Sequence, residues 1–376
     1  MNSRFDPLLE STADAKAYAG EAGLSASVII VNYNGGEYLQ RCVGHLCAQT
    51  VTDFEVIVVD NGSHDGSLAH VPDDTRFRIL DLGRNTGFAF ANNRAVEVAR
   101  SPWIALLNSD AFPAPDWLER LLHAAETSQE FSFFGSHQYL FEPPEHLKGQ
   151  GDILDGTGDM LARNGLAWRR DHMVPADLAV CTSDEVFGAC AAAALYDRAA
   201  FSEVGGFEES FFCYFEDVDL SFKLRLAGYR CLHVADAVVH HVGSASAGMS
   251  SEFQIYHGYR NLIWSFCKNM PIDLLLRNLP AFFLLLLRIL ITDGMHGRRT
   301  TLLKAYRDAI RGLPVVLIER RPAVQGLRRV SSAEIASHFG ASRHFRELVS
   351  GIMFRRLARL RKLLARTVRR GQGAGQ

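Results

Sequence analysis

The stretch FFCYFEDVDLSFKLRLAGYR, residues 211–230, sets three carboxylates, Glu216, Asp217 and Asp219, directly behind a run of aromatic residues. Acids beside Phe211, Phe212, Tyr214 and Phe215 lose hydration, which raises a carboxyl pKa and makes a working base near neutral pH. A structural reading competes with this one. Acids in the first turn of a helix satisfy free N–H groups and the positive end of the dipole. The spacing from Val218 through Leu220, Phe222, Leu224 and Leu226 predicts such a helix, with Gly228 as its stop. A helix terminus accounts for one acid better than for three. Two more acids end apolar runs: Asp60 closes FEVIVVD, and Asp110 follows WIALLNS, with Asn108 two residues earlier. Carboxylates so placed can hold a divalent cation, although Asn, Asp, Gly and Ser are also ordinary turn residues.

The elements that must position these acids alternate. SASVIIVNYN reads as a strand buried on both faces, and a helix is expected from Gly36 to about Gln49. FEVIVVDNGS is a second strand, buried from Glu55 to Val59, and RFRILDL is a third strand. TGFAFANNRAVEVAR is a helix, and WIALLNSD a fourth strand. Strands alternating with helices predict a doubly wound, mostly parallel α/β sheet, in which ligands bind at the carboxyl ends of strands where the strand order reverses. Tyr33, Asn34, Asp60 and Asp110 all follow strands and so fall at that edge.

Several classes are disfavoured. The first strand–helix turn reads NYNGGEYL and lacks the GxGxxG of a dinucleotide site, and no GxxxxGK[ST] occurs. The chain of 376 residues is 48% hydrophobic and 22% charged, an ordinary globular composition. Its seven cysteines form no CxxC pair, which argues against a disulfide framework or a zinc cage and fits a reducing cytoplasm. Residues 1–24 lack the basic start and apolar run of a secretory signal and read as a flexible leader.

VIIVNYN, VVDNGSHDGS, NTGFAFANN, LLNSDAF, GACAAAALYDRAAFSEVGGFEESFFCYFEDVDLSFKLRLAGYR and HHVGSAS occur in that order. Over about residues 25–265 the chain thereby resembles the inverting glycosyltransferase family two, and most closely its bacterial rhamnosyltransferase-like branch. The resemblance implies a GT-A fold, Rossmann-like and mostly parallel, and transfer of a sugar from a nucleotide donor with inversion. L-rhamnose from dTDP-β-L-rhamnose is the donor it suggests; a UDP-hexose or UDP-galactofuranose is the alternative, and a non-catalytic glycan-binding or assembly shell another. The acceptor would be a hydroxyl of a lipid-linked or oligosaccharide glycan in surface polysaccharide synthesis.

Residue by residue, Asp60 resembles the aspartate that reads the nucleobase, with Tyr33 and Asn34 in the same pocket. Asn85, Asn108, Ser109, Gly188 and Ala189 are placed along the nucleotide-sugar. Asp110 matches the last acid of the family's DxD motif, a ligand of manganese or magnesium, while Asn108 departs from the pattern by replacing the first acid. His241 resembles the histidine that completes the metal site, with His240 the competing choice. Asp217 matches the catalytic aspartate, and Glu216 is expected to orient it or to bind the acceptor. Asp219 is expected to cap the helix or to meet Arg225 or Arg260. Ala91 and Ala95 stand where relatives often have glycine and read as packing changes. GDILDGTGDMLARNGLAWRR resembles an insert near the acceptor and carries no clear chemistry.

Charge is distributed unevenly: from Arg288 onward there are 20 Lys and Arg against 5 Asp and Glu, and before it 20 against 37. LLLRNLPAFFLLLLRILI, residues 274–291, is interrupted by Arg277, Asn278, Pro280 and Arg288, and its unbroken run is too short to span a bilayer. It reads as an interfacial or re-entrant helix, followed by basic amphipathic helices that fit an anionic membrane surface. A solvated tail and a coiled-coil or homo-oligomer contact are the alternatives, and no recognition motif for nucleic acid is present. Residues 266–376 are therefore expected to form a helical, basic, membrane-associating region, and the protein to be cytoplasmic and peripheral at the inner face of the membrane.

Overall fold

The computed structural model describes residues 23–179, 182–243, 251–293 and 297–340. Most of the leader, Cys181, the end of HHVGSAS and the arginine-rich stretch from 341 lie outside the described residues. The first half alternates as its apolar runs dictate: β1 Ala26–Asn32, α1 Gly36–Cys47, β2 Phe54–Asp60, β3 Phe77–Asp81, α2 Phe88–Val98 and β4 Trp103–Leu107. Short β5 Ala111–Pro113, α3 Trp117–Thr127 and β6 Phe133–Leu140 follow. The insert holds β7 Leu154–Gly156, β8 Asp159–Leu161 and β9 Ala167–Arg169. Next come β10 Asp184–Val186, β11 Ala193–Asp197, α4 Arg198–Glu203, α5 Glu216–Leu226 and β12 Cys231–His241.

One ten-stranded sheet runs β10-β12-β6-β11-β4-β1-β2-β3, with β5 on β12 and β7 on β6; β8 and β9 pair separately. β3, β2, β1 and β4 are parallel, β11 lies antiparallel between β4 and β6, and β6 is parallel to β12. The sheet is thus parallel in its first half and mixed in its second. β1 sits between β2 and β4, so the carboxyl ends of these three strands open on the crevice where the order reverses.

Both faces of the sheet are covered. Val28, Ile30, Val56 and Val58 pack under α1 and α3, while Ile29, Ile57 and Val59 pack under α2, α4 and α5, the alternation a strand imposes. Ala91 and Ala95 are fully buried in this second layer. A third core joins α5 to the C-terminal helices: α6 Glu252–Asn269, α7 Ile272–Thr292, α8 Arg299–Val315, a π turn Val316–Arg320, α9 Arg321–Gly326 and α10 Ser332–His338. Position 265, the expected domain boundary, falls inside α6.

α7 corrects one expectation. Pro280 stands within a continuous 21-residue helix that is long and apolar enough to cross a membrane. Leu274 and Phe282, buried on either side of Pro280, anchor both turns, and Phe282 stacks on Phe266 of α6 with ring centres 3.9 Å apart.

Candidate active site

The residues expected to bind the nucleoside gather at the ends of β1 and β2. Asn34 takes a left-handed conformation, and its Oδ1 accepts from the His64 backbone N–H at 2.8 Å; Tyr33 beside it is exposed. Asp60 is buried, with Oδ1 accepting from Ser63 N at 3.1 Å. Asn85 Oδ1 accepts from Asn61 Nδ2 and from Gly87 N, which ties the turn before α2 to the end of β2.

A second group forms where β4, β5 and β12 meet. Asn108, half-buried Ser109 and Asp110 make the turn after β4, and Asn108 N donates to Ala192 O at 2.8 Å. His241, at the end of β12, points its Nε2 at Asp110 Oδ1, 3.3 Å away, with Asn108 Nδ2 at 3.4 Å. His240, one residue earlier on the strand, is exposed and stacks on Tyr139. Two ligands on adjacent corners of an octahedron with bonds near 2.1 Å lie about 3.0 Å apart, so Asp110 and His241 fit a shared divalent cation whose other ligands are oxygens. Burial alone would lower the His241 pKa, but Asp110 and Asp155 on its two sides outweigh that and raise it to about 9.

The third group surrounds Asp217. Phe212, Tyr214 and Phe215 all have φ between +66° and +72°, a conformation that bulky residues hold only under constraint. The constraint comes from α6: buried Asn261 donates through Nδ2 to the carbonyls of Phe211, Cys213 and Tyr214, and Arg260 donates to those of Ser210 and Phe211. On the other side the loop presses on Gly87, where an added Cβ would lie 2.6 Å from Phe212 O. The loop delivers Asp217 half-buried into the first turn of α5, its Oδ1 accepting from Val218 N at 2.8 Å and its Oδ2 from Ala191 N at 3.4 Å. Gly188 passes under Ser221 of α5 with no room for a side chain, and Ala189 beside it is buried. Burial raises the Asp217 carboxyl, and Arg169 opposes the rise. Glu216 turns inward, is buried, and is raised well above the usual range by burial and then by Asp217.

Asp219 contacts neither of the arginines expected. It is fully buried and accepts from Lys268 Nζ and Asn269 Nδ2 of α6, each at 2.8 Å. Arg225 instead donates to the carbonyls of Phe187 and Val186 and pairs with Glu185. Arg260 is occupied by the aromatic loop.

The insert supplies residues that sequence reasoning missed. Asp155 accepts from His241 Nδ1 at 2.7 Å and pairs with Arg169, and Asp159 lies with Cys190 and Asp217 in a cluster whose ligand atoms are all within 4.8 Å of one another. The available signal was local: Asp155 and Asp159 four apart, flanking Gly156 and Gly158, facing the WRR of the returning strand. A chain of contacts, Asp110–His241–Asp155–Arg169, thus links the β4 turn to the neighbourhood of Asp217.

The doubly wound, partly mixed sheet with acids at its switch point is a GT-A-like fold. Residues 27–205 match the family described as glycosyl transferase family 2. The chain is 30% identical over 250 residues to the N-acetylglucosaminyl-diphospho-decaprenol L-rhamnosyltransferase of Mycobacterium tuberculosis, covering 59% of this chain and 77% of that one. It is 38% identical over 100 residues to the chondroitin synthase of Escherichia coli, 26% of this chain and 14% of that one. The crystal structure of GalNAc-T7 with UDP, GalNAc and Mn2+ is similar at TM-score 0.51 and 16% identity, over 65% of this chain and 48% of that one. The chain belongs to glycosyl transferase family 2.

Proposed function

We propose that the protein transfers L-rhamnose from dTDP-β-L-rhamnose, with inversion, to a hydroxyl of a lipid-linked or oligosaccharide acceptor in bacterial surface polysaccharide synthesis. The observation that carries this reading is the half-buried Asp217, clustered with Asp159 of the hairpin whose Arg169 pairs with Asp155, the residue that holds His241 beside Asp110. The rhamnosyltransferase relative supports the sugar and the lipid-linked acceptor. Asp60, with Tyr33 and Asn34, would hold the nucleoside, and Asn85, Asn108, Ser109, Gly188 and Ala189 would line the path of the diphosphate and sugar. Asp110 and His241 would hold manganese or magnesium, which when bound neutralises the leaving diphosphate.

The acceptor oxygen bonds to the anomeric carbon from the face opposite the diphosphate while the carbon–oxygen bond to phosphate breaks. The electron pair leaves with dTDP, and the hydroxyl proton passes to Asp217 Oδ1 or Oδ2. Glu216, buried in the first turn beside Asp217, has its carboxyl raised well above the usual range by burial and then by Asp217. Calorimetric titration of dTDP, UDP and GDP, with and without Mn2+, tests the donor. Metal-dependent binding of dTDP alone is the expected result; preference for UDP would discard rhamnose and keep the transferase.

We also infer that α7 and α8 lie on the membrane surface. α7 commits Leu274, Phe282, Leu285 and Ile289 to the protein core and presents Leu276, Phe283, Leu284, Leu287 and Ile291 outward. A helix packed on the transferase along one side lies in the interface more readily than it crosses. Exposed Leu303 and Ile310 of α8 share that helix with Arg299, Lys304, Arg307 and Arg311. Co-sedimentation with phosphatidylglycerol vesicles should be strong at low salt and should fall when Leu284 and Leu287 are both changed to Glu. Equal binding by that variant would remove α7 from the contact.

A further inference from the structure

Across the hairpin β8–β9, Asp159 stands directly opposite Arg169, so one small element brings both charges to the same place. The Arg169 side chain crosses the backbone of Gly156, where an added Cβ would overlap its Cγ and Cδ. Gly156 has no positive φ, so its need for glycine is this crossing alone. Beyond it the guanidinium pairs with Asp155, which is buried and holds His241 Nδ1 at 2.7 Å. A carboxylate on the second nitrogen of a metal-binding imidazole fixes which nitrogen is presented and how the ring is turned.

At the other end, Asp159 is buried, its Oδ2 has no hydrogen-bond partner among the described residues, and it lies in the cluster with Asp217 and Cys190. Asp217 is faced by Asp159 and Arg169 from the hairpin, Cys190 from the loop before β11, Tyr196 from β11, Glu216 from its own helix and Cys213 from the aromatic loop. Arg169 is the one cation among them.

We propose that Arg169 is a positioning residue for both poles of the transfer site: it fixes Asp155, and through it His241, and it supplies the positive charge that the Asp159–Asp217 pair faces. The proposal rests on Asp217 as base and on Asp110 and His241 as cation ligands. Its support at the base is that burial raises the Asp217 and Asp159 carboxyls and Arg169 opposes the rise in both. The base works ionised, so removing the cation moves the acid limb of turnover to higher pH.

The test uses the full chain and two readouts: Mn2+ affinity by electron paramagnetic resonance without nucleotide, and the pH profile of dTDP release from dTDP-β-L-rhamnose. Arg169→Met should weaken Mn2+ binding on the order of 10–100-fold and raise the acid limb by about 1–3 pH units. Arg169→Lys should recover part of both losses. Gly156→Ala, which displaces Arg169 without removing it, should move both readouts in the same direction and guards against a misfolded Arg169→Met. If the wild type binds Mn2+ and releases dTDP but neither variant changes either readout, or only one readout moves, the joint role is overturned. Two Mn2+ per wild-type chain would overturn it as well, since the Asp159–Cys190–Asp217 cluster would then be a second cation site. A wild type that neither binds Mn2+ nor releases dTDP removes the underlying reading, and the proposal with it.

Discussion

Asp217→Asn is expected to lower turnover on the order of 10²–10⁴-fold, the usual contribution of a positioned general base, while nucleotide binding stays within about twofold. Asparagine keeps the shape and can still accept from Val218 N, but it cannot take a proton. Steady-state release of dTDP and calorimetric titration of dTDP read the two halves separately. Full turnover in the variant would move the base elsewhere, and lost binding would mean that Asp217 shapes the donor pocket. The pH dependence follows from the direction of the shift. Burial raises the Asp217 pKa above that of an ordinary aspartate, so wild-type turnover falls with decreasing pH sooner than an exposed aspartate would allow.

Lys268→Met should lower stability by about 3–5 kcal/mol, because it removes the ammonium that hydrogen-bonds a fully buried carboxylate. Lys268 Nζ lies 2.8 Å from Asp219 and 3.0 Å from Glu208, and both Lys268 and Asp219 are essentially inaccessible. Asn269 still donates to Asp219, which satisfies one oxygen but not the charge. A fall of roughly 10 °C in the melting temperature followed by circular dichroism is the expected reading. Adding Asp219→Asn should recover part of it, since removing both charges is milder than stranding one. A single variant that melts with the wild type would show that this pair carries little of the packing between α5 and α6. Glu208 adds a pH dependence: burial raises its carboxyl, but Lys268 and Arg320 outweigh that and hold it at about 2, below the ordinary glutamate value of 4.5. That stabilisation is complete above about pH 4.5 and is lost as pH falls toward 2.

β1, β2 and β4 were legible because a parallel strand buried on both faces reads as an unbroken apolar run, and because Asp60 and Asp110 mark where two such runs end, whereas β3 is a half-exposed edge strand. Motif order singled out His241, and the strand's alternation buries it and leaves His240 exposed. What stayed hidden depended on long-range register. Asp155 reaches His241 across 86 positions, and nothing near either residue announces it. Asp219 was matched to arginines on its own helix or carried by a motif, whereas its partner, Lys268, lies 49 residues away on α6. Pro280 pointed to an interruption because a proline removes one backbone donor, yet burial of Leu274 and Phe282 holds the helix on both sides.

The clasp of Asn261 on the aromatic loop has a consequence for the order in which a growing chain acquires its working shape. The loop carbonyls of Phe211, Cys213 and Tyr214 emerge from the ribosome well before the side chain that fixes them. The four parallel strands pair with one another once β4 is out, and that pairing can settle early, before β11, α4 and α5 complete the layer. Asp217 cannot: its loop must wait, with three bulky residues in a left-handed conformation, until α6 has been made and has packed. A nascent chain thus holds its first four strands before the loop that carries Asp217 is fixed, and the helix that fixes the loop is also the first of the C-terminal layer.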